Sequence, residues 1–332
     1  MHIQSEMSDH PRWGFRASAL AALSLALCLL LVSCKPAPPT GMFASPEQAT
    51  EALVAAFRKH DVAGLAQLFG PGSEAILDSG DPIADKLDRA EFVMAYDKKH
   101  ALIADGEDTR TLQIGDRDWP LPVPLVRKDG FWRWDGAAGA QEIVYRRIGE
   151  NELNIIQVMQ TYVAAQLDYV AQAHDDQTAG LYARKLMSSP GTHDGLYWPA
   201  AEGEPESPIG PLIAMAGGEG YSAPTAGASE TAPYHGYHFR MLLATGPAAD
   251  GGARDFLVDG KLTGGFALLA YPADYGNSGI MSFMVDQNGV VFQSDLGADT
   301  AKVAAAITAF DPGEGWVPVP ADSMVASDQA GG

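Results

Sequence analysis

The amino-acid sequence predicts an α+β protein, with helices and antiparallel strands segregated along the chain. Three observations lead there. Short apolar stripes at helical spacing occupy residues 45–100, and one long helical stripe follows over residues 139–173. From residue 237 onwards come alternating strand-like runs separated by turn residues, the pattern of an antiparallel meander. The 332 residues, 46% hydrophobic and 19% charged, have the composition of a folded chain, long enough for two domains.

The first segment is a targeting signal rather than part of the fold. Arg12 and Arg16 precede the uncharged run Ala17–Val32, which is too short and Ala-rich for a membrane span and reads as a signal peptide over residues 1–33. The run ends Leu31, Val32, Ser33, Cys34, which resembles the bacterial lipobox. That resemblance implies a diacylglycerol thioether on Cys34, cleavage before it, and further acylation of the new amine, so that two or three chains anchor the protein to a bilayer. Lys35 stands where an Asp would signal inner-membrane retention, so a periplasmic protein, lipid-anchored to the bacterial envelope with the outer membrane favoured, is expected. Met7 is an alternative start. Residues 34–44 then form the lipidated cysteine and a Pro-rich tether.

Cysteine usage and charge exclude several chemistries. Cys28 and Cys34 are the only cysteines. One is removed with the signal and the other is capped by lipid, so no disulfide framework, thiolate metal site or cysteine nucleophile is left. With 22 Lys+Arg against 42 Asp+Glu the net charge is −20, which repels nucleic-acid phosphates and anionic membrane surfaces. The partners expected are the membrane, through the N-terminal lipid, and an envelope protein.

The first folded domain is expected over residues 45–148. Ser45, Pro46 and Gln48 make a helix start, with Ala49, Leu53, Ala56 and Phe57 as its buried stripe. Asp61 opens a second helix, with Leu65 and Leu68 facing inward, which Gly70–Gly72 stops; Ser79–Pro82 is a further break. Phe92, Val93 and Tyr96 predict a helix over Asp88–His100, and Leu112 and Ile114 begin a strand. Val123–Trp134 reads as a hairpin turning at Asp129–Gly130. Trp119, Trp132 and Trp134 are expected to fill the concavity of a cone that resembles the NTF2-like fold.

The second domain is expected over residues 149–318, with a disordered tail over 319–332. The apolar series from Ile143 to Val170 predicts one long helix or two abutting ones, with the domain boundary near Gly149. Turn-rich segments follow over 189–199, 202–211 and 217–233. Strands are expected over Tyr237–Ala244, Gly265–Tyr271, Ile280–Asp286 and Val290–Ser294, with a hairpin turn at Gln287–Gly289. Asp299 opens a last helix running to Phe310. A long helix followed by a meander resembles pilin and pseudopilin headpieces in layout, which carries no function by itself.

The strings LDSGDP at Leu77–Pro82, AYDKKHAL at Ala95–Leu102 and RRIGENEL at Arg146–Leu153 resemble one family of bacterial lipoproteins and periplasmic proteins, catalogued as domain of unknown function 2950. DGLYWP at Asp194–Pro199, PYHGYHFR at Pro233–Arg240 and GGFALLAYPADYGNSGIMSFMV at Gly264–Val285 belong to the same resemblance. It covers about Phe43 to Trp316 and implies no activity, cofactor or catalytic residue. Relatives tend to carry an Asp- and Gly-rich calcium-like loop after the long helix. Here His174–Gly180 has adjacent carboxylates and lacks the alternate oxygen ligands and internal glycine of such a loop, which argues for a solvated loop.

Candidate site residues are few. His235 and His238 form HxxH, but the aromatics around them favour a strand, where positions three apart face opposite sides and cannot chelate one metal. Arg240, a cation amid apolar neighbours, needs a carboxylate or anion, with Asp255 and Asp274 as structural partners. Asp194, Tyr197 and Trp198 lie in one turn, and Tyr275 and Tyr234 in others; such aromatics either stack on a ligand or pin loops into the core. HExxH, GxSxG, Walker A and dinucleotide GxGxxG motifs do not occur, and no catalytic residue, metal or cofactor is expected. Two functions follow: a non-catalytic binding or scaffold module of the envelope, or a small-ligand binder or hydrolase whose C-terminal pocket gathers His235, Arg240, Tyr197 and an Asp.

Overall fold

The computed structural model describes residues 39–200, 206–221 and 232–320. The signal peptide, Cys34, most of the tether and all but the first two residues of the expected tail therefore lie outside the described residues. By backbone contacts the chain divides into Met1–Pro39 and Thr40–Gly332, and only the second unit is described below. It is α+β: helices and two main antiparallel sheets, each sheet with its own hydrophobic core.

Helix α1, Pro46–Arg58, starts as its sequence dictates, with the Ser45 hydroxyl accepting from the Gln48 amide; such a cap is worth about 1 kcal/mol. Helices α2, Val62–Phe69, and α3, Glu74–Leu77, follow. Helix α4 spans Pro82–Lys98 and thus begins six residues before the expected Asp88. The Asp81 carboxylate caps it through the Ile83 and Ala84 amides, a start signal stronger than the weak apolar stripe behind it. His100 belongs not to this helix but to the unexpected strand β1, His100–Ala104.

Strand β1 pairs with β2, Thr109–Ile114, which also pairs with β3, Trp119–Pro120. The expected hairpin forms from β4, Leu125–Lys128, and β5, Phe131–Trp134, giving the order β1-β2-β4-β5. Trp132 and Trp134 are buried beneath it with Leu53, Leu65 and Leu112. Trp119 is not: it is 39% exposed, because it sits on the short β3 at the sheet's margin.

Helix α5 runs without interruption from Gly136 to Val170, so Gly149 lies inside it. Its N-terminal part offers Ile143 to the first core, and its C-terminal part gives Ile155, Met159 and Tyr162 to the second. A short helix α6, Gly210–Glu219, fills the gap between the turn-rich segments expected over 202–211 and 217–233 and overlaps both; Pro211 stands at its first turn and Gly220 ends it in the left-handed region.

The second sheet has the order β14-β13-β12-β11-β6, all antiparallel. Its strands are β6, Tyr237–Leu242; β11, Ala267–Pro272; β12, Met281–Asp286; β13, Phe292–Asp295; and β14, Val317–Pro318. Between β6 and β11 lie two small ladders of two-residue strands, β7, Ala244–Thr245, with β8, Arg254–Asp255, and β9, Leu257–Val258, with β10, Lys261–Leu262. β11 and β12 are buried along nearly their whole length, with Leu268 opposite Val285 and Leu269 opposite Met284. Helix α7 spans only Thr300–Ala306, shorter than expected, and the chain leaves it extended at Ile307.

Candidate ligand-binding site

A cavity of about 590 Å³ opens between α4, α5 and the loop after β2. That is the size of sites that hold small organic molecules. Its apolar lining comes from Phe57, Ile76, Phe92, Ile114 and Ile143. The Phe57 and Phe92 rings stack with centroids 4.3 Å apart. At the rim the Arg146 guanidinium covers the exposed Trp119 ring at 4.9 Å.

The helices supply charge in register. Asp85, Asp88 and Glu91 recur every third residue of α4, and Arg147 and Glu150 stand three apart on α5, so both sets reach the same cavity. Most cations are already committed. Lys98 pairs with Asp116 at 2.5 Å, and Arg146 with Glu142 at 2.8 Å. Arg147 donates to Asn277 at 2.7 Å and to the Ile76 carbonyl at 3.2 Å, while Arg89 reaches the Leu77 carbonyl. Asp85 accepts from the Ser79 amide. Asp88, Glu91 and Glu150 have no hydrogen bond or ion pair among the described residues.

This arrangement disfavours negative charge. The Asp88 carboxyl is pushed up to about 7, chiefly by enclosure in the cavity wall and next by Glu150, with Arg147 opposing and Asp85 and Glu91 adding to the rise. Its side chain still meets water through the open mouth, so solvent moderates the effect. Glu150 is also raised, by enclosure and then by Glu91. Asp85 is raised by burial despite the Ser79 hydrogen bonds and the two nearby arginines. Among the described residues no three His, Cys, Asp or Glu side chains gather closely enough to hold a metal ion.

The residues singled out from sequence lie elsewhere, and they do not converge. Asp194 staples its own loop: it accepts from Lys185 at 2.5 Å, from the Ser189 amide at 2.7 Å and from the Thr192 hydroxyl at 3.0 Å. Burial would raise its carboxyl, but these donors outweigh it and hold the group down at about 2. Trp198 is buried against His174 and His193, and half-buried Tyr197 bonds through its backbone to Leu186. In the nearby 174–180 loop, Asp175 is bound to His193 through both backbone and ring.

Tyr234 and His235 form a second group, near Tyr221, Glu219 and Asp81. His235 is not on the strand at all but in the tight turn before it, with φ of 46°, which is why it parts from His238. Burial lowers the His235 ring below its ordinary value, against the pull of Glu219 and Asp81. His238 lies beside Tyr271 instead. Arg240 meets neither Asp255 nor Asp274. It donates to the Ala304, Ala305 and Ile307 carbonyls at the end of α7, where a cation satisfies carbonyls the helix leaves open. Tyr275 donates to Asp295 at 2.9 Å on the surface. Among the described residues, Arg240 and Tyr197 thus have partners of their own, apart from the group around Tyr234 and His235.

The sequence did carry a signal for the cavity, the threefold acidic spacing in Asp85-x-x-Asp88-x-x-Glu91. It is submerged in a chain with 42 acidic residues, and its meaning depends on the facing helix.

A family model described as "Protein of unknown function (DUF2950)" matches residues 40–319. No curated protein and no solved structure matches the chain.

Proposed function

The chain belongs to the DUF2950 family, and from that premise we propose that it is a lipid-anchored binding protein of the bacterial envelope that holds a small molecule between α4 and α5. The cavity of about 590 Å³, with an apolar lining and unpaired carboxylates, is the observation that carries this reading. The anchor rests on the lipobox-like Leu31–Cys34 after an uncharged run, which would deliver the protein to the periplasm, with the outer membrane favoured by Lys35. Among the described residues no helix is long and apolar enough to cross a membrane. A protein-docking scaffold has less support, because Trp198 is buried, Tyr197 half-buried and Tyr275 paired with Asp295.

The test uses the neutral fluorophore N-phenyl-1-naphthylamine with the purified full-length chain and an Ile143→Trp variant that narrows the cavity. Saturable fluorescence enhancement in the wild type, lost in a folded Ile143→Trp, is expected. Equal enhancement in both would remove the cavity reading. For the anchor, Cys34→Ala should release the protein from the membrane fraction and abolish metabolic labelling with a radioactive fatty acid.

A further inference from the structure

We infer that the ligand of this cavity is an amphipathic organic cation, an amine or guanidinium carried on an apolar body, with its charge among Asp88, Glu91 and Glu150. The inference rests on the binding reading above and adds the chemical class. Its core is the unequal state of the charges around the cavity. Lys98 and Arg146 are each spent on a carboxylate outside the trio, and Arg147 and Arg89 are turned toward backbone carbonyls. Arg117 completes the basic lining from the loop after β2 and makes no ion pair among the described residues. The three carboxylates are left without protein donors on two facing helices, where Glu150 and Glu91 disfavour the ionisation of Asp88, and Glu91 that of Glu150. A guest cation seated in the cavity would meet all three, exposed carboxylates at the mouth of an apolar-lined space whose wall strengthens the attraction over that in open water. A small metal ion does not fit, because no three such side chains converge on one point among the described residues. A delocalised or alkylated cation can be served by carboxylates spread around it. The apolar body would lie on Phe57, Phe92 and Ile143, which line the same space.

Ionisation of Asp88 should therefore govern affinity. The groups facing it are Asp85 and Glu91 from its own helix and Arg147 and Glu150 from α5. With its carboxyl at about 7, the site gains negative charge as pH rises through neutrality.

The experiment is calorimetric titration of the full-length chain at pH 8 with three near-isosteric probes: 4-phenylbutylamine, 4-phenylbutanol and 4-phenylbutanoate. The amine is expected to bind about tenfold more tightly than the alcohol, and the carboxylate most weakly. The Asp88→Asn, Glu91→Gln, Glu150→Gln triple variant should keep alcohol binding and lose the preference for the amine. Lowering the pH from 8 to 5.5 should weaken the amine but not the alcohol in the wild type, a readout that stands if the triple variant does not fold. Equal binding of amine and alcohol would overturn the cation assignment and leave the cavity reading intact, and tightest binding of the carboxylate would overturn it in favour of an anion. Failure of all three probes to bind, while N-phenyl-1-naphthylamine does, would also overturn it; failure of every probe would remove both readings.

Discussion

Between about pH 4 and pH 7 the native protein holds a proton on Asp88 that the unfolded chain has released, because the folded carboxyl titrates near 7 and an unfolded one near 4. The native state then binds more protons than the unfolded state, so stability falls as pH rises through this window. Asp88→Asn removes the effect, and the melting temperature of the variant minus that of the wild type should grow from pH 5 to pH 8 in differential scanning fluorimetry. A difference that shrinks with pH would contradict the enclosure of this carboxyl. Asp194 has the opposite sign. Its folded value of about 2 lies below that of an unfolded Asp, so its contribution is present above about pH 4 and is lost as pH falls toward 2. Asp194→Ala would leave the Lys185, Ser189 and Thr192 donors without their acceptor and should cost about 1–3 kcal/mol at pH 7 in urea unfolding, with little cost near pH 2. These two aspartates also mark the reach of sequence reasoning. Asp194 stood out because it neighbours Tyr197 and Trp198, and its bonds turn out to be local and structural. Asp88 looked like any solvated acid on a helix, since the two charges that act on it most, Glu150 and Arg147, stand on a helix more than fifty positions away.

At the scale of elements, the boundaries at Ser45, Asp61 and Gly70 were legible, and the start of α4 at Asp81 was not. Ser45 and Asp61 cap helices through side chains acting on their own neighbours, and a local rule reads a local bond; Asp135 caps α5 in the same way and was passed over. The buried strands β11 and β12 announced themselves as apolar runs. Helix α6 and strand β1 were hidden, because α6 carries little apolar pattern and β1 is a half-exposed edge strand whose place is set by pairing with β2. Within α5 two glycines predict opposite outcomes for one substitution. A Cβ on Gly139 would stand 2.7 Å from the backbone of Val123, so the helix crosses the strand connection there at a distance only glycine allows. Gly139→Ala should cost at least about 1 kcal/mol despite the better helix propensity of alanine. A Cβ on Gly149 would meet nothing within 4 Å, and Gly149→Ala should stabilise by up to about 1 kcal/mol. Thermal unfolding of the two variants decides this; a gain at both would mean that the Val123 crossing is looser than described.

For the folded unit as a whole, the two cores are tied by more than the helix they share. Asp81 is buried at the start of α4 and accepts from the Tyr221 hydroxyl at 2.8 Å and the Gly236 amide at 3.1 Å, both from the C-terminal half. Asn277 reaches back to the Asp78 carbonyl and accepts from Arg147, while Glu152 receives the Ile280 and Met281 amides. Asn151 adds a bond to the Ser278 carbonyl. The bonds of Asp81 and Asn151 are buried and costly to break singly, because each leaves a partner without water or donor. Neither core can then unfold without orphaning groups in the other, and urea unfolding should be one transition. Trp132 and Trp134 report on the first core and Trp198 on the second, so tryptophan fluorescence and far-ultraviolet circular dichroism should give the same midpoint. Asp81→Ala removes a helix cap and both cross-bonds together, and should lower stability by about 2–4 kcal/mol. It should also separate the fluorescence and dichroism midpoints, since the second core keeps its own sheet. Two transitions already present in the wild type would show instead that the halves are independent bodies strung on α5. The cavity would then depend on the N-terminal half alone, and Asp81→Ala would leave probe binding unchanged.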